Sequence, residues 1–326
     1  MLKKKCTFDK LVGNIKQNVM EDLLITTNNE FDIQRKVIAF STQSSWKVIP
    51  HASVIYEADL TEFYTTYKKL KNELLIKFNG KKKFSLNTIL LKVFAEGFLA
   101  SPVLNSTIKY SSFFQTGKID IQDSVNITVP WELEDGKTTT IVIHDVGKKS
   151  LIELIDEIEM LRMKTENTNF TELLYRVALK DTLNKIKSFD ISVVKRLIAI
   201  GSGKNKVNLL KGKKKKEYYD IPQEFRLTEK DIMSGTVIVS NIGSTFNGFK
   251  GHIGLLNVIA PQILAIGVSA LEDRVGIINH SNEIGIRKIL PICLTMDHRA
   301  LDFNHFIPFF RKLDEIFSSP EIIYSW

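Results

Sequence analysis

Hydrophobic positions recur along the chain with two spacings, which predict strands and helices in a mixed order. Alternating, β-branched segments are typical of strands, and they occur in ASVIYEADL, GTVIVSNIGS, APQILAIGVSAL, RVGIINH and IRKILPICLTMD. Apolar residues at helical spacing predict amphipathic helices in DLTEFYTTYKKLKNELL, SLNTILLKVFAEGFLA, SLIELIDEIEMLR and FNHFIPFFRKLDEIF. This order of elements predicts a mixed α/β sandwich.

Local signals refine the boundaries of these elements. Ser85 is the predicted N-cap of its helix, and Ser150 with Glu153 forms the pattern of a capping box. Between these helices VLNSTIKY, IDIQDSVNITVPW and TTTIVIHDV predict three successive strands. Residues 1–30 are weakly patterned and predict a peripheral arm, whereas residues 165–232 predict an inserted helical and basic segment.

Composition excludes several classes of protein. The chain has 326 residues, of which 44% are hydrophobic and 25% charged, as in soluble globular proteins. Its two cysteines, Cys6 and Cys293, do not suggest a disulfide framework or a cysteine-rich metal site. No apolar run reaches the roughly 18 residues of a membrane span, and no signal peptide is recognised. We therefore predict a cytoplasmic protein without a transmembrane segment.

The formal net charge of +8 is concentrated in lysine clusters at 3–5, 81–83 and 211–216. Such clusters are common on solvated loops. They also suit an anionic partner, either phosphate-bearing coenzyme A or an acidic carrier protein. No nucleic-acid motif accompanies them, so nucleic acid is not predicted as a partner.

Candidate chemistry lies at the ends of two predicted strands. His298 and Asp302 follow the strand ILPICLTMD, where a histidine can serve as a general base and an aspartate can orient it or anchor the turn. Ser240 and Asn241 end the strand in VIVSNIGS, where a hydroxyl or amide can donate to an oxyanion. From the pattern alone, capping of the strand end or a hydrogen bond to the backbone is the favoured explanation for Ser240.

Other catalytic and cofactor motifs are missing from the sequence. There is no GxGxxG after a strand and no GxSxG elbow. The remaining histidines share no spacing that suggests a metal site, so no metal is predicted.

Taken together, several stretches resemble the catalytic domain of dihydrolipoamide acyltransferases, the acyltransferase component of 2-oxo acid dehydrogenase complexes. The resemblance rests on RKVIAFSTQSSWKVIPHASVIYEADLTEF, FSLNTILLKVFAEGFLASPVLNSTI and VNITVPWELEDGKTTTIVIHDVGKKSL, followed by GTVIVSNIGS, APQILAIGVSAL and LPICLTMDHRALD. The last stretch is similar to the DHRxxDG signature of that family. The resemblance covers residues 31–163 and 234–322, which indicates one catalytic domain over 31–326.

The resemblance implies a chloramphenicol-acetyltransferase-like fold, a two-layer α/β sandwich with a mixed sheet and flanking helices. It also implies a homotrimer, or a multiple of trimers, with active sites at subunit interfaces. His298 would be the general base and Ser240 the oxyanion donor. Asp302 would hold the site together, through a salt bridge that we assign to Arg35, and Asn241 would support the site.

The chain departs from the family pattern at four points. Phe303 replaces the signature glycine and adds bulk beside the site, and Ile259 replaces an asparagine before the strand proline. The segment at 165–232 exceeds the family's short connection. We also expect no lipoyl domain, subunit-binding domain or Ala/Pro linker ahead of residue 31.

We therefore expect a stand-alone acyltransferase. It would move an acyl group from a thioester of coenzyme A, or of a carrier protein, to a thiol, amine or hydroxyl acceptor, with no permanently bound cofactor. One alternative is a catalytically degenerate oligomeric scaffold or carrier-binding protein, which Phe303 and Ile259 favour. Another is a dihydrolipoamide acyltransferase that is served by a lipoyl domain on another chain.

Overall fold

The structure is a computed structural model that describes residues 31, 33–133, 136–186, 209–245, 250–278 and 283–326. The predicted arm at 1–30 and the middle of the segment at 165–232 lie outside the described residues. The chain divides into two compact units, and the larger consists of Ile38–Leu173 and Leu210–Trp326. The described part of the smaller unit is formed by residues before Ile38 and by 174–186 and 209. The larger unit holds the sheets and the candidate site.

Nine strands form a mixed main sheet and a separate hairpin in the described part of the chain. The main sheet has the order β1-β9-β7-β6-β4-β5, with β8 paired to β9, and β2 pairs with β3. The strands are β1 (His51–Asp59), β2 (Ser106–Ser111), β3 (Thr116–Ile121), β4 (Ile127–Glu132), β5 (Thr138–Ile143), β6 (Val237–Asn241), β7 (Leu264–Val268), β8 (Glu272–Ile277) and β9 (Ile284–Asp297).

Helices flank the sheet, and the apolar spacing predicts four of them. The helices are α1 (Ile33–Val48), α2 (Thr61–Lys77), α3 (Leu86–Ala100), α4 (Leu151–Glu166), α5 (Phe170–Ile186), α6 (Gly212–Asp220), α7 (Lys230–Met233), α8 (Ile242–Thr245) and α9 (Ile307–Ser318). The predicted caps are confirmed, since the Ser85 hydroxyl accepts a hydrogen bond from the Thr88 amide and Ser150 forms the capping box with Glu153. No helix in the described residues is both long and apolar enough to cross a bilayer.

Strand β9 organises the main sheet because it pairs along its whole length. Its C-terminal part pairs antiparallel with β1 and with β7, while its N-terminal part pairs with β8. Strands β4, β6 and β7 are mutually parallel neighbours. The C-terminal end of β9 therefore lies at the same end of the sheet as the N-terminal ends of β6 and β7.

One expectation about the strands is wrong. The stretch IDIQDSVNITVPW is not one strand, because β3 ends at Ile121 and β4 begins at Ile127. Asn105 separates them by donating hydrogen bonds to the carbonyls of Gln122 and Ser124, which bends the chain from the hairpin into the main sheet. Helix α1 was not predicted from the sequence.

The helical layer of the core is centred on the contact between α3 and α9. The rings of Phe98 and Phe309 pack 5.3 Å apart, and both side chains are buried. Gly97 allows this approach, because a Cβ atom there would lie 2.6 Å from the Phe309 ring. The absence of a side chain at this helical position is therefore a packing requirement.

Replacing Phe309 by alanine should lower the free energy of unfolding by about 3–5 kcal/mol, since it opens a cavity in a closely packed layer. The matched control is Phe113→Ala, whose ring is 86% exposed and whose loss should change stability by no more than about 0.5 kcal/mol. Urea unfolding followed by circular dichroism measures both. Equal losses in the two variants would contradict this account of the core.

Candidate active site

His298 stands on a tight turn directly after β9. Its backbone amide donates to the carbonyl of Pro50, next to β1, at 3.0 Å. Its Nδ1 lies 2.9 Å from the carbonyl oxygen of Leu301. A carbonyl can only accept a hydrogen bond, so Nδ1 carries the proton and Nε2 is left as a free acceptor. The side chain is 42% exposed, so Nε2 is available to a substrate as a base.

Asp302 and Phe303 lie beside this imidazole. The Asp302 carboxylate is 3.5 Å from His298 Nδ1, and its backbone amide donates to Nδ1 of His305 across the following 3-10 turn. Asp302 thus both faces the histidine and starts the turn. The Phe303 ring is half-exposed and stands edge-on to the imidazole at 6.0 Å between centroids. In the single chain, Phe303 forms one wall beside His298 and leaves it accessible.

The pair formed by Asp297 and Arg299 was missed in the sequence. Asp297 is fully buried, and the Arg299 guanidinium binds both of its carboxylate oxygens, with Nη2 at 2.6 Å from Oδ2. The Arg299 amide also donates to Asp297, and the guanidinium lies 5.1 Å from the centroid of the Tyr110 ring. These contacts bracket His298 on both sides. In the sequence, this pair could have been recognised from the opposite charges of the residues directly before and after His298.

Ser240 and Asn241 occupy the last positions of β6, as predicted. Ser240 is partly buried, and no hydrogen bond of its hydroxyl is found among the described residues. Asn241 is held on both sides: its Oδ1 accepts from the Ser244 amide, and its Nδ2 donates to Asn87 on α3. Gly243 follows in close contact with the chain after β7, because a Cβ there would lie 2.4 Å from the Ser269 carbonyl.

Ser240 and His298 lie at opposite ends of the sheet within one chain. Ser240 is level with Gly267, which is level with Cys293, five residues before His298. Five residues along a strand are about 17 Å, and two strand spacings are about 10 Å. A reacting atom must lie about 3 Å from both a base and an oxyanion donor. One chain therefore cannot bring both side chains to the same reacting atom.

An open pocket of about 590 Å³ lies near the Ser240 end of the sheet. It is lined by aromatic and basic side chains of α2, by the start of α3 and by β8 and β9, namely Tyr64, Tyr67, Lys68, Lys71, Asn72, Leu86, Leu271, Asp273 and Lys288. The ammonium groups of Lys68 and Lys288 lie 4.7 and 5.1 Å from the Tyr64 ring. Burial, followed by the nearby Tyr64, raises the pKa of Tyr67 to about 12, so its hydroxyl remains a neutral donor.

Comparison with known proteins identifies the family. The family model described as "2-oxoacid dehydrogenases acyltransferase (catalytic domain)" matches residues 25–173 and 213–324. The chain belongs to this family. The match leaves out residues 174–212, and the inserted segment at 165–232 stays a prediction.

Individual family members are distant in sequence. The dihydrolipoyllysine-residue acetyltransferase component of the Haemophilus influenzae pyruvate dehydrogenase complex is 22% identical over 82% of this chain. The Staphylococcus epidermidis component with the same description is 19% identical over 91%. The chain spans 35% and 52% of the lengths of these two relatives.

Solved structures of the family confirm the predicted fold, a mixed sheet with flanking helices. A probable dihydrolipoamide acetyltransferase from Listeria monocytogenes superposes with a TM-score of 0.61 at 20% identity, over 90% of this chain and 94% of the other. The Azotobacter vinelandii dihydrolipoamide acetyltransferase gives 0.60 at 18% identity, over 91% and 93%. At these identities the likeness shows the fold alone.

Arg35 is the remaining predicted site residue of this family member, and Cys293 is the cysteine that the structure describes. Arg35 lies in the first turn of α1, and its pairing with Asp302 stays a prediction. Cys293 is buried, and burial raises the pKa of its thiol, which argues against a nucleophilic role. Among the residues that the structure describes, no group of three or more His, Cys, Asp or Glu side chains is arranged to hold a metal ion.

The junction of β1 and α2 positions the basic pocket. Asp59 accepts hydrogen bonds from the Thr61 amide and hydroxyl and from Arg287 Nε at 2.7 Å, while the Thr61 hydroxyl accepts one from the Lys288 amide. Burial alone would raise the pKa of Asp59, but the hydrogen bonds from Thr61 and Arg287 outweigh it and hold this pKa below its usual value. The ionised form of Asp59 therefore stabilises the folded chain.

The contribution of ionised Asp59 to the stability of the folded chain should decrease as the pH falls. Because its folded-state pKa is lowered, its stabilisation is complete above the unfolded-state pKa of about 3.9 and is lost as the pH falls through the lower, folded value. We expect Asp59→Asn to be less stable than the unaltered chain at pH 7, with the difference shrinking below about pH 4.

Urea unfolding between pH 7 and pH 3 measures this difference. Asp156→Asn is the control, because Asp156 pairs with Lys82 at the surface and is more than half-exposed. Its effect at pH 7 should be the smaller of the two. A stability difference for Asp59→Asn that stays constant down to pH 3 would contradict the assigned role.

Proposed function

We propose that this chain is an acyltransferase that uses the thioester of coenzyme A as the acyl donor. The observation that carries the proposal is the state of His298, whose Nδ1 is held by the Leu301 carbonyl while Nε2 is free and accessible. A histidine held in this tautomer is suited to removing the proton of an acceptor thiol, amine or hydroxyl.

The proposed reaction balances with His298 and Ser240 alone. Nε2 of His298 takes the acceptor proton as the acceptor atom attacks the thioester carbonyl. The carbonyl electrons move onto oxygen, where the Ser240 hydroxyl donates a hydrogen bond to the oxyanion. The tetrahedral intermediate then collapses and breaks the bond to sulfur. The departing coenzyme A thiolate takes the proton back from the imidazolium.

The basic pocket supports coenzyme A as the donor. Three of its lining residues are lysines, and the single carboxylate among them, Asp273, is 2.7 Å from Lys288. The net positive charge of the pocket suits the phosphate groups of coenzyme A. None of these lysines belongs to the clusters that drew attention in the sequence.

An acylated carrier protein is the other donor that we keep. Lys213, Lys214, Lys215 and Lys216 are all exposed on α6, which supports electrostatic attraction of an acidic carrier. The relatives are described as dihydrolipoyllysine-residue acyltransferases. Activity with free dihydrolipoamide would favour a lipoyl domain on another chain as the natural carrier.

We retain the cytoplasm as the proposed location.

We infer that the working form is a homotrimer or a multiple of trimers. The opposite placement of Ser240 and His298 supports it, because a head-to-tail contact between copies can bring the two ends together and close into a ring. Near the Ser240 end, β8 and β9 expose two cross-strand pairs, Val275 with Ile286 and Ile277 with Ile284, each side chain at least 70% exposed. Such an apolar surface suits burial by another copy. One related structure is described as a cubic core.

The catalytically degenerate scaffold remains the competing proposal, which Phe303 and Ile259 favour. The Phe303 ring stands beside His298 and leaves the imidazole 42% exposed in the single chain. This geometry supports the enzyme, with Phe303 narrowing the space for the acceptor. Failure of the purified protein to consume any acyl thioester would favour the scaffold.

Mixing two inactive variants tests the two-copy site. His298→Ala and Ser240→Ala should each reduce acyl transfer by about 10²-fold or more. In co-expressed, randomly mixed oligomers, about a quarter of the sites should pair an intact His298 with an intact Ser240 and regain activity. Release of coenzyme A from acetyl-coenzyme A, with a thiol acceptor, measures the rate. Mixed oligomers of normal size that stay inactive would rule out a site shared between copies.

The pocket is tested by Lys68→Ala. Loss of a charged hydrogen bond of about 1.5–3 kcal/mol should raise KM for acetyl-coenzyme A at least tenfold, with little change in kcat. Lys213→Ala is the matched control and should leave KM unchanged for this donor. An equal rise in both variants, or none in Lys68→Ala, would place the donor elsewhere.

A further inference from the structure

We propose that Arg299 is a positioning residue for acyl transfer, acting on His298 through the buried carboxylate of Asp297. The inference rests on the proposed function, because it concerns the same histidine. Among the described residues, Arg299 makes no hydrogen bond or ring contact with the imidazole of His298. Its effect would pass through the turn that begins at Asp297 and ends at Leu301.

The first step is the attachment of Asp297. Its carboxylate is fully buried at the end of β9 and receives three kinds of hydrogen bond from Arg299, from Nε, Nη2 and the backbone amide. A buried carboxylate needs a paired cation, and the planar guanidinium matches it with two parallel bonds. The two residues on either side of His298 are therefore locked to each other.

The second step is the shape of the turn. The carbonyl of Asp297 accepts from the amides of Ala300 and Leu301, at 3.0 and 3.1 Å. These bonds close the turn and bring the Leu301 carbonyl to 2.9 Å from Nδ1 of His298. Asp297 therefore holds the Leu301 carbonyl, which selects the Nδ1–H tautomer. The carboxylate of the same Asp297 is bound by Arg299.

The third step is the seat of Arg299 itself. Its guanidinium lies over Tyr110 of β2, 5.1 Å from the ring centroid, and its side chain is only 18% exposed. The Tyr110 ring fixes the plane of the guanidinium. Lysine cannot make the same contacts, because its ammonium group is not planar and cannot form two parallel hydrogen bonds to a carboxylate. Arg299→Lys should therefore keep the charge while loosening the turn.

The experiment reads the imidazole directly and does not depend on turnover. In protein labelled with 15N-histidine, above the pH at which the ring is protonated, His298 should give nitrogen signals of a single Nδ1–H tautomer. The His298→Ala spectrum assigns these signals. In Arg299→Lys the same signals should move toward a mixture of the two tautomers. Finding the Nε2–H tautomer in the unaltered protein would overturn the inference without any variant.

Kinetics provide the second readout. Arg299→Lys should lower kcat roughly 10- to 100-fold, because misplacement of a catalytic group costs that much, while KM for acetyl-coenzyme A changes little. The matched control is Arg274→Lys, an arginine that pairs with Glu57 and Glu272 away from the turn, and it should alter neither readout. Unchanged tautomer signals in a folded Arg299→Lys variant would overturn the inference, whatever its kcat. If the unaltered protein transfers no acyl group, the proposed function fails, while the tautomer measurement still decides the role of Arg299.

Discussion

The antiparallel pairing of β9 is the constraint on which the rest of the structure depends. Its backbone is bonded to β1 and β7 toward one end and to β8 toward the other, so its register sets both ends of the sheet. A slip of one residue would turn every side chain to the other face. The same strand carries Lys288 into the basic pocket and delivers His298 at its terminus. In the proposed function, donor binding and proton transfer would take place at opposite ends of this strand.

The buried pair at the end of β9 gives this terminus its order. An exposed histidine on a surface turn would sample several rotamers, and only some of them would present Nε2 to a substrate. Asp297 is fully buried where the end of β9 pairs with the start of β1, and its charge requires Arg299. Burying this charge costs desolvation free energy near the site, and the result is an imidazole with a defined orientation.

Element types could be predicted from the sequence because apolar spacing and caps are local. Ser85 and Ser150 show this, since each cap involves a residue three positions away. The locations of His298 and Ser240 at strand ends were predicted for the same reason. Their separation was not, since it depends on the direction of β9 relative to β6. The proximity of Lys68 and Lys288 was not predicted either, because it depends on the register of the sheet, which no local pattern contains.

The opposite placement of Ser240 and His298 has a consequence for gene dosage. If each site joins two copies in a ring, as proposed, a copy that has lost only His298 still lends its Ser240 to a neighbour. A copy that folds poorly at the shared boundary instead silences the sites on both of its sides. Defects of chemistry would then be recessive in a mixed population, whereas defects of assembly would be dominant. The distance across one sheet thereby determines how mutations in this chain combine.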